Sequence, residues 1–343
     1  MIKTIKLKQW SQNFILISSL MLIFVGIFNI VINPYGIFPF NHALNQVKKH
    51  KLSDRLVKFY ELQYHKPDTI MMGTSRIGLY SPEMLKKYFP NSNIYNASLA
   101  GSSIEEQTAY LEYCINVLKV KHIVWSLDFF TFNPSKVPYT DFSYNRLNSY
   151  PYFSDYYYGM FNFKSFYDSL KTLETNLQNK INTRVESNQP FTKVQLRKNI
   201  NATLAEYKRD KNFLKSNSFS SSINIHSNLK KVSRIVTLCQ KNNVRLDIYL
   251  SPVYKEHIKM TEEIGLHQTY KYWKEQLSFI YGYYDFNTIN SITSNELNFR
   301  DSSHTVISVG DMIFCKIFDK NCLNAPSDFG KYVKKSIVSN DVY

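Results

Sequence analysis

The stretch Thr69-Ile70-Met71-Met72-Gly73-Thr74-Ser75-Arg76 decides the fold, because it has the pattern of a buried strand that ends in a tight turn. Its first four residues are apolar or β-branched, and Gly73 closes the run. Ser75 follows the turn, where an α/β protein can hold a nucleophile with backbone N–H groups facing a developing oxyanion. A simple helix N-cap gives the same local pattern.

Similar apolar runs follow along the chain and alternate with helical patterns. The further predicted strands are 94–96, 122–127, 245–250 and 283–286, and the predicted helices between and after them are 103–118, 227–242, 256–281 and 308–318. This alternation predicts an α/β domain with a parallel sheet covered by helices on both faces.

Residues 14–32 contain no charged side chain and match the roughly 20 residues that cross a bilayer. The lysines before this segment favour a cytoplasmic N-terminus, although four basic residues shortly after it weaken the charge asymmetry. The segment continues into Asn33-Pro34-Tyr35-Gly36 without an alanine, so it lacks the usual cleavage site of a signal peptide. We therefore predict an uncleaved transmembrane anchor rather than a buried core helix.

The net charge of +15 suits anionic lipid headgroups, acidic polysaccharide or nucleic acid, and equally a lysine-rich solvated surface. The basic residues are scattered and show no zinc-finger spacing, which disfavours nucleic acid. No CxxC pair is present, so we predict neither a metal site nor a cofactor. Cys315 and Cys322 are close enough in sequence for a disulfide outside the cytoplasm, whereas Cys114 and Cys239 fit buried thiols.

Residues 134–226 interrupt the alternation, because they contain no good strand and are rich in Tyr and Phe between 139 and 166. Helical patterns cover 164–181 and 192–208. We interpret this stretch as a helical cap over the carboxyl edge of the sheet, where open α/β sheets bind ligands. The aromatic residues of 150–166 could stack on sugar rings, or could pack the core of a small helical domain.

The predicted organisation therefore has six parts. They are a cytoplasmic tail (1–13), an anchor (14–32), a connector (33–65), an α/β domain (66–133 with 227–322), the helical insertion (134–226) and a C-terminal tail (323–343).

Asp301 and His304 form a second chemical signal near the C-terminus, in the sequence FRDSSH. An Asp and a His three positions apart in a tight loop can point into one site, where a neutral imidazole can take a proton from a serine. A glycine–x–serine after the first core strand, combined with DxxH before the last helix, is much rarer than either motif alone.

With these motifs the chain resembles the SGNH, or GDSL-like, esterase and acyltransferase superfamily, and within it the membrane-anchored branch that includes proteins implicated in acetylating bacterial surface polysaccharides. The matching segments are NPYGIF, DTIMMGTSR, IYNASLAGSS, VWSLDFFTFN and FRDSSHTVISVGDMI. The resemblance implies a flavodoxin-like parallel sheet in a three-layer sandwich. It also implies Ser75 as nucleophile, His304 as base, Asp301 as its orienting partner and the Gly101 N–H as an oxyanion donor.

The chain departs from the family pattern in its third block. The family commonly has Gly-x-Asn-Asp there, but this chain has Asp128 where the oxyanion-binding Asn stands. An ionised carboxylate cannot donate to an oxyanion. Either Asn133 donates instead, or backbone N–H groups suffice, or catalysis is impaired.

Two further residues, Arg76 and Tyr254, are candidates for substrate binding together with Asp128. Arg76 could also cap a helix, and Tyr254 could belong to a structural turn after Pro252. We interpret His257 and His267 as surface residues.

The resemblance implies a serine-dependent O-acyl esterase or O-acetyltransferase that acts on a cell-envelope polysaccharide. It would sit in the bacterial inner membrane with most of the chain periplasmic, and it would take an acyl donor, with a membrane acyltransferase as a conceivable partner. The alternative is a non-catalytic glycan-binding or assembly component that keeps the fold.

We expect the bulk of the chain to lie outside the cytoplasm, because a lysine cluster precedes the apolar segment. Reporters fused after Asn33 and at the C-terminus should be active only outside the cytoplasm. A reporter active only inside would contradict both the orientation and the envelope substrate.

Overall fold

The computed structural model describes residues 2–40, 44–45, 54–133, 136–148, 151–177, 193–209, 222–319 and 321–336. They form two compact units. The first contains the described parts of residues 1–64 and 143–186, and the second contains those of 65–142 and 187–343.

The described α-helices, numbered in chain order, are α1 (Ile2–Ile32), α2 (Asp54–His65), α3 (Ser75–Gly78), α4 (Glu83–Lys86), α5 (Ile104–Tyr113), α6 (Tyr144–Asn148), α7 (Phe153–Phe161), α8 (Phe163–Leu177), α9 (Lys193–Arg209), α10 (Ser222–Lys241), α11 (Lys255–Glu263), α12 (His267–Ile280) and α13 (Ile307–Phe318). A π-helical turn, Cys114–Leu118, extends α5, and short 3₁₀ turns cover Phe129–Phe132 and Glu296–Asn298. The strands are β1 (Thr69–Met72), β2 (Ile94–Asn96), β3 (His122–Leu127), β4 (Arg245–Leu250), β5 (Tyr283–Asp285) and β6 (Lys331–Val333).

In the first unit, α1 packs against α7 and α8 through one face. Gly26, Asn29 and Ile32 recur every three residues along this face and are buried. The Asn29 amide donates to the Met160 carbonyl at 2.8 Å and accepts from the Ser169 hydroxyl at 2.8 Å. Among the described helices, α1 alone is long and apolar enough to cross a membrane, over Lys8–Ile32, and most of that span is exposed. The predicted apolar anchor helix is thus present.

The second unit is built on one six-stranded sheet with the order β2-β1-β3-β4-β5-β6. The pairs from β2 to β5 are parallel, and β6 joins β5 in the antiparallel sense. The order of the first five strands is that of flavodoxin-like doubly wound sheets. The predicted α/β fold with a largely parallel sheet is confirmed.

Side chains alternate between the two faces of this sheet, and helices cover both faces. On one face, Met71, Val124 and Tyr249 pack in a cluster with α13 residues such as Phe314. On the other, the Trp125 indole N–H donates to the Gln107 side chain on α5 at 2.8 Å. Both faces are therefore buried, which explains why the strands are continuous apolar runs in the sequence.

Two helix and strand predictions need correction. The predicted helix 256–281 is two helices, α11 and α12, because Gly265 between them has a φ of +80° that ends the first. The predicted C-terminal tail contains β6, whose pairing with β5 depends on a distant partner strand rather than on local sequence.

The predicted insertion 134–226 is divided between the two units. Helices α7 and α8 pack with α1 in the first unit, whereas α9 belongs to the second. Helices α7 and α8 belong to the first unit because their long-range packing partner is the buried face of α1, with Gly26 and Asn29. Residues 178–192 and 210–221 lie outside the described residues.

The cysteines behave as the sequence suggested. Cys315 and Cys322 are joined in a disulfide that ties the end of α13 to the segment after it. Cys114 and Cys239 are free and buried, and burial raises the pKa of the Cys239 thiol to about 12.

Gly73 allows β1 to end in a tight turn directly under β3. Its φ is +151°, a conformation that L side chains rarely adopt, and a Cβ there would lie 2.8 Å from the Ser126 carbonyl oxygen. Any larger residue would push the β1–α3 turn away from β3 and displace Ser75.

We expect Gly73→Ala to destabilise the second unit by more than the ~1–3 kcal/mol that backbone strain alone costs, because the clash with Ser126 adds to this strain. Gly265→Ala is the matched control, since its φ is +80° but nothing lies within 4 Å of the added Cβ. It should cost only roughly 1 kcal/mol. Urea unfolding of both variants measures this, and equal losses would contradict the proposed role of the Gly73 contact.

Candidate functional site

Ser75 lies at the carboxyl edge of the sheet because it follows β1 and begins α3. The Thr74 side chain caps this short helix by accepting from the Arg76 N–H at 3.3 Å. The register pairs Met72, the last residue of β1, with Trp125, so the last two residues of β3 run alongside the turn after β1. The residue after β3, Asp128, is therefore placed next to the turn that carries Ser75.

A tight loop between Phe299 and Thr305 brings His304 to the same edge. These two residues form an antiparallel bridge, and the Arg300 N–H donates to the His304 carbonyl at 2.8 Å. The hydroxyls of Thr305 and Tyr80 lie 2.6 Å apart, which ties the loop to the segment after α3. The loop is thus held at both ends.

Ser75, His304 and Asp301 form a continuous hydrogen-bonded chain. The Ser75 Oγ lies 2.9 Å from His304 Nε2, and His304 Nδ1 lies 2.8 Å from Asp301 Oδ2. An ionised carboxylate only accepts, so Nδ1 carries the hydrogen and Nε2 of the neutral ring can accept from the serine hydroxyl. This is the arrangement in which an imidazole can serve as a base toward a serine.

Asp301 is held in its ionised form. Burial would raise the pKa of this carboxyl, but the hydrogen bond and charge of His304 and the N–H groups of Ser303 and His304 outweigh it and lower the pKa to about 2. Those two N–H groups donate to Oδ1 at 2.7 and 2.9 Å. One carboxylate therefore both shapes the loop and orients the imidazole.

A pocket of about 350 Å³ opens beside His304. Its lining combines cationic, aromatic and hydroxyl side chains from six segments of the second unit. The lining residues are Arg76, Gly101, Phe130, Asn133, Lys136, Thr203, Glu206, Tyr207, His257, Ser302, Ser303 and His304. The pocket is large enough for a small organic ligand.

Asp128 does not line this pocket. Its side chain is fully buried, with Oδ1 accepting from the Arg76 guanidinium at 2.7 Å and Oδ2 accepting from the Thr74 hydroxyl at 2.5 Å. The prediction of Asp128 as a substrate-binding residue is therefore wrong. The prediction fails because the neighbouring arginine neutralises the Asp128 carboxylate and holds it inside the protein.

The other predicted residues have different positions. Gly101, Asn133 and Arg76 line the pocket, as an oxyanion or substrate role requires. Tyr254 does not line it. The Tyr254 ring packs 5.7 Å from that of Phe299, and its N–H donates to the Ser302 carbonyl at 3.0 Å, so the residue supports the histidine loop instead.

The aromatic stretch predicted to wall the site contributes Tyr139, whose hydroxyl lies close to Gly101. The described residues between 143 and 166 belong to the first unit.

Sequence reasoning missed His257, which is not a surface residue. Its Nδ1 lies 3.2 Å from the Ser302 hydroxyl, and its ring stacks on Tyr207 with centroids 4.2 Å apart. Burial and the Arg76 charge lower its pKa to about 3, so the ring is neutral. The sequence contained one signal for the position of His257. This residue follows the Ser251-Pro252 end of β4, and residues that follow a strand at that end lie at the edge of the sheet where ligands bind.

Helix α9 also contributes residues that the sequence did not indicate. The Thr203 hydroxyl accepts from the Ser302 N–H at 3.0 Å, and Glu206 and Tyr207 line the pocket. An amphipathic helical pattern alone does not show which distant loop the helix will contact.

No protein-family model matches the chain, and no curated protein matches it. A functional conclusion therefore depends on the geometry of this site and on the motifs that surround Ser75 and His304.

We expect Asp128→Asn to destabilise the protein rather than to improve an oxyanion site, because it leaves the buried Arg76 charge without a counter-ion. Removing one partner of such a pair typically costs about 3–5 kcal/mol. Asp311→Asn is the matched control, since Asp311 pairs with Lys87 at the same 2.7 Å but on the exposed surface. Urea unfolding should show a large loss only for Asp128→Asn, and a gain in activity with unchanged stability would contradict the buried pair.

Proposed function

We propose that the chain is a serine-dependent O-acyl esterase or O-acetyltransferase of the SGNH-like type that acts on a cell-envelope polysaccharide. The observation that carries the proposal is the Ser75–His304–Asp301 chain beside an open pocket at the carboxyl edge of a parallel sheet. The order of strands and the positions of the three residues agree with the resemblance drawn from the sequence motifs.

In this mechanism Ser75 Oγ attacks the carbonyl carbon of the acyl donor while its proton moves to His304 Nε2. Asp301 stabilises the imidazolium that forms. The tetrahedral oxyanion would be bound by the N–H groups of Ser75 and Gly101 and by the Asn133 side chain. Collapse expels the donor's alcohol or thiol, which takes the proton from His304, and leaves an acyl group on Ser75.

The acyl-enzyme is then attacked by an acceptor whose proton His304 removes. Water as acceptor gives a free acid, and a sugar hydroxyl gives an acetylated glycan. Lys136 and Tyr207 in the pocket wall offer a cation and an aromatic ring for a sugar acceptor.

The burial of Asp128 supports catalysis over the alternative of a glycan-binding component. That alternative arose because a carboxylate in the oxyanion site would repel the developing charge, but Asp128 is neutralised by Arg76 away from the pocket.

We place the catalytic unit on the outer face of the bacterial inner membrane, in the periplasm. The lysines before α1 favour this orientation, and the Cys315–Cys322 disulfide suits an oxidising compartment. A membrane acyltransferase partner would supply the acyl donor across the bilayer.

We expect a fluorophosphonate probe to label Ser75 in the full-length protein in detergent, and Ser75→Ala to abolish the labelling. His304→Ala should slow labelling about 10²–10⁴-fold, because the hydroxyl loses its base. His267→Ala is the matched control, a histidine that pairs with Glu262 on the surface. Mass spectrometry of the labelled peptide identifies the modified residue.

An unlabelled but folded wild-type protein would reject the catalytic proposal and favour the binding component. Hydrolysis of a small acetyl ester, measured with and without an oligosaccharide acceptor, then separates esterase from transferase by the product formed.

A further inference from the structure

The first unit carries an apolar surface that its own core does not need. On α7, Phe153, Tyr157 and Phe161 recur every four residues and are 78%, 68% and 41% exposed. The same helix buries Asp155 and Gly159 on its opposite side. An exposed stripe of three rings at i, i+4 and i+8 is one continuous face of the helix.

Helix α8 continues this surface. Phe163, Tyr167 and Leu170 share one face and are 86%, 51% and 45% exposed. The apolar face of the first two turns of α8 is followed by Glu174, which pairs with Lys171 at 2.9 Å, and Leu177 at the end of the helix is again apolar and 66% exposed. Those turns are the ones that contact α1, through the rings of Phe28 and Phe166, whose centroids are 5.5 Å apart.

The contacts with α1 fix the depth of this surface along the anchor. A Cβ at Gly26 would lie 2.9 Å from the Phe161 ring, so Phe161 is level with Gly26. Gly26 precedes the end of α1, Ile32, by six residues, which at 1.5 Å per residue is about 9 Å. If α1 spans the bilayer, Phe161 lies about 9 Å inside its outer end.

A groove of about 630 Å³ lies between α1 and the junction of α7 and α8, and it is almost wholly apolar. Its walls are α1 residues 17–25, including Leu20, Met21 and Phe24, together with Phe161, Phe163 and Phe166. The surface of α7 and α8 is therefore continuous with the exposed surface of the membrane-spanning helix. The opposite side of α7 and α8 is buried in the first unit, where Asp155 pairs with Arg146 and Asp168 pairs with Lys164.

We propose that α7 and the first half of α8 are interfacial membrane helices, which immerse Phe153, Tyr157, Phe161, Phe163, Tyr167 and Leu170 among lipid acyl chains. The occupant of the groove is lipid. The depth of Phe161 below the outer end of α1, about 9 Å, agrees with the roughly 5–10 Å to which interfacial amphipathic helices insert. Tyrosine and phenylalanine at the edge of the hydrocarbon also match the aromatic belts of membrane proteins. The first unit is thus a membrane-seated body, independent of any chemistry at Ser75.

The test uses the full-length chain in phosphatidylcholine vesicles, with a nitroxide attached at Tyr157→Cys or Phe163→Cys. Val117→Cys, an apolar position 57% exposed in the second unit, is the matched control, and Met21→Cys, 65% exposed on α1, reports the membrane span. Native Cys114 and Cys239 are buried and protected from the label under folding conditions.

We expect the labels at 157 and 163 to be severalfold more accessible to oxygen than to a water-soluble nickel chelate, like the label at 21 and unlike that at 117. Equal behaviour of 117, 157 and 163 would overturn the proposal. Protection of 157 and 163 from both reagents would also overturn it, since a protein partner rather than lipid would cover the face. A water-exposed label at 21 would overturn it at its foundation, because α1 would then not span.

Discussion

The carboxylate of Asp128 holds Thr74 and Arg76, the two residues that flank Ser75, and the geometry of the site depends on this contact. Its two oxygens take one hydrogen bond from each neighbour, at 2.5 Å and 2.7 Å, and no water reaches the carboxylate. A buried ion pair contributes little net stability, but its partners cannot separate without a large cost. The serine is therefore fixed from both sides by a residue at the end of the neighbouring strand.

In the half of the site that contains His304, a carboxylate again positions the functional side chain. Asp301 uses one oxygen to bind the backbone of its own loop and the other to bind the His304 ring. Thr203, from a helix that follows the aromatic stretch, accepts from Ser302 and braces the loop from outside. Two enclosed carboxylates thus position the hydroxyl and the imidazole independently, and the parallel sheet brings the two arrangements to within a hydrogen bond of each other.

The sequence predicted those parts whose signals are local. The strands of the parallel sheet are largely apolar runs of three to six residues, the turn at Gly73 needs a glycine, and DxxH is a four-residue pattern, so each can be recognised without knowing the fold. The role of Asp128 could not be recognised, because it depends on an arginine 52 positions earlier in the chain. The prediction that His257 lies on the surface was wrong for a similar reason, since the ring on which it stacks, Tyr207, belongs to another helix. Long-range packing also divided the predicted insertion, because α7 and α8 found their partner in α1.

The buried side of α1 makes this long apolar helix part of the core of the first unit. Asn29 satisfies the Met160 carbonyl and the Ser169 hydroxyl, and Phe28 covers Phe166. A proteolytic cut after Ile32 would therefore disrupt the first unit, because α7 and α8 would lose the helix face against which they pack. Removal of the segment up to Ile32 would expose Phe166 and take the Asn29 side chain from the Met160 carbonyl and the Ser169 hydroxyl, so α1 is an integral part of the first unit.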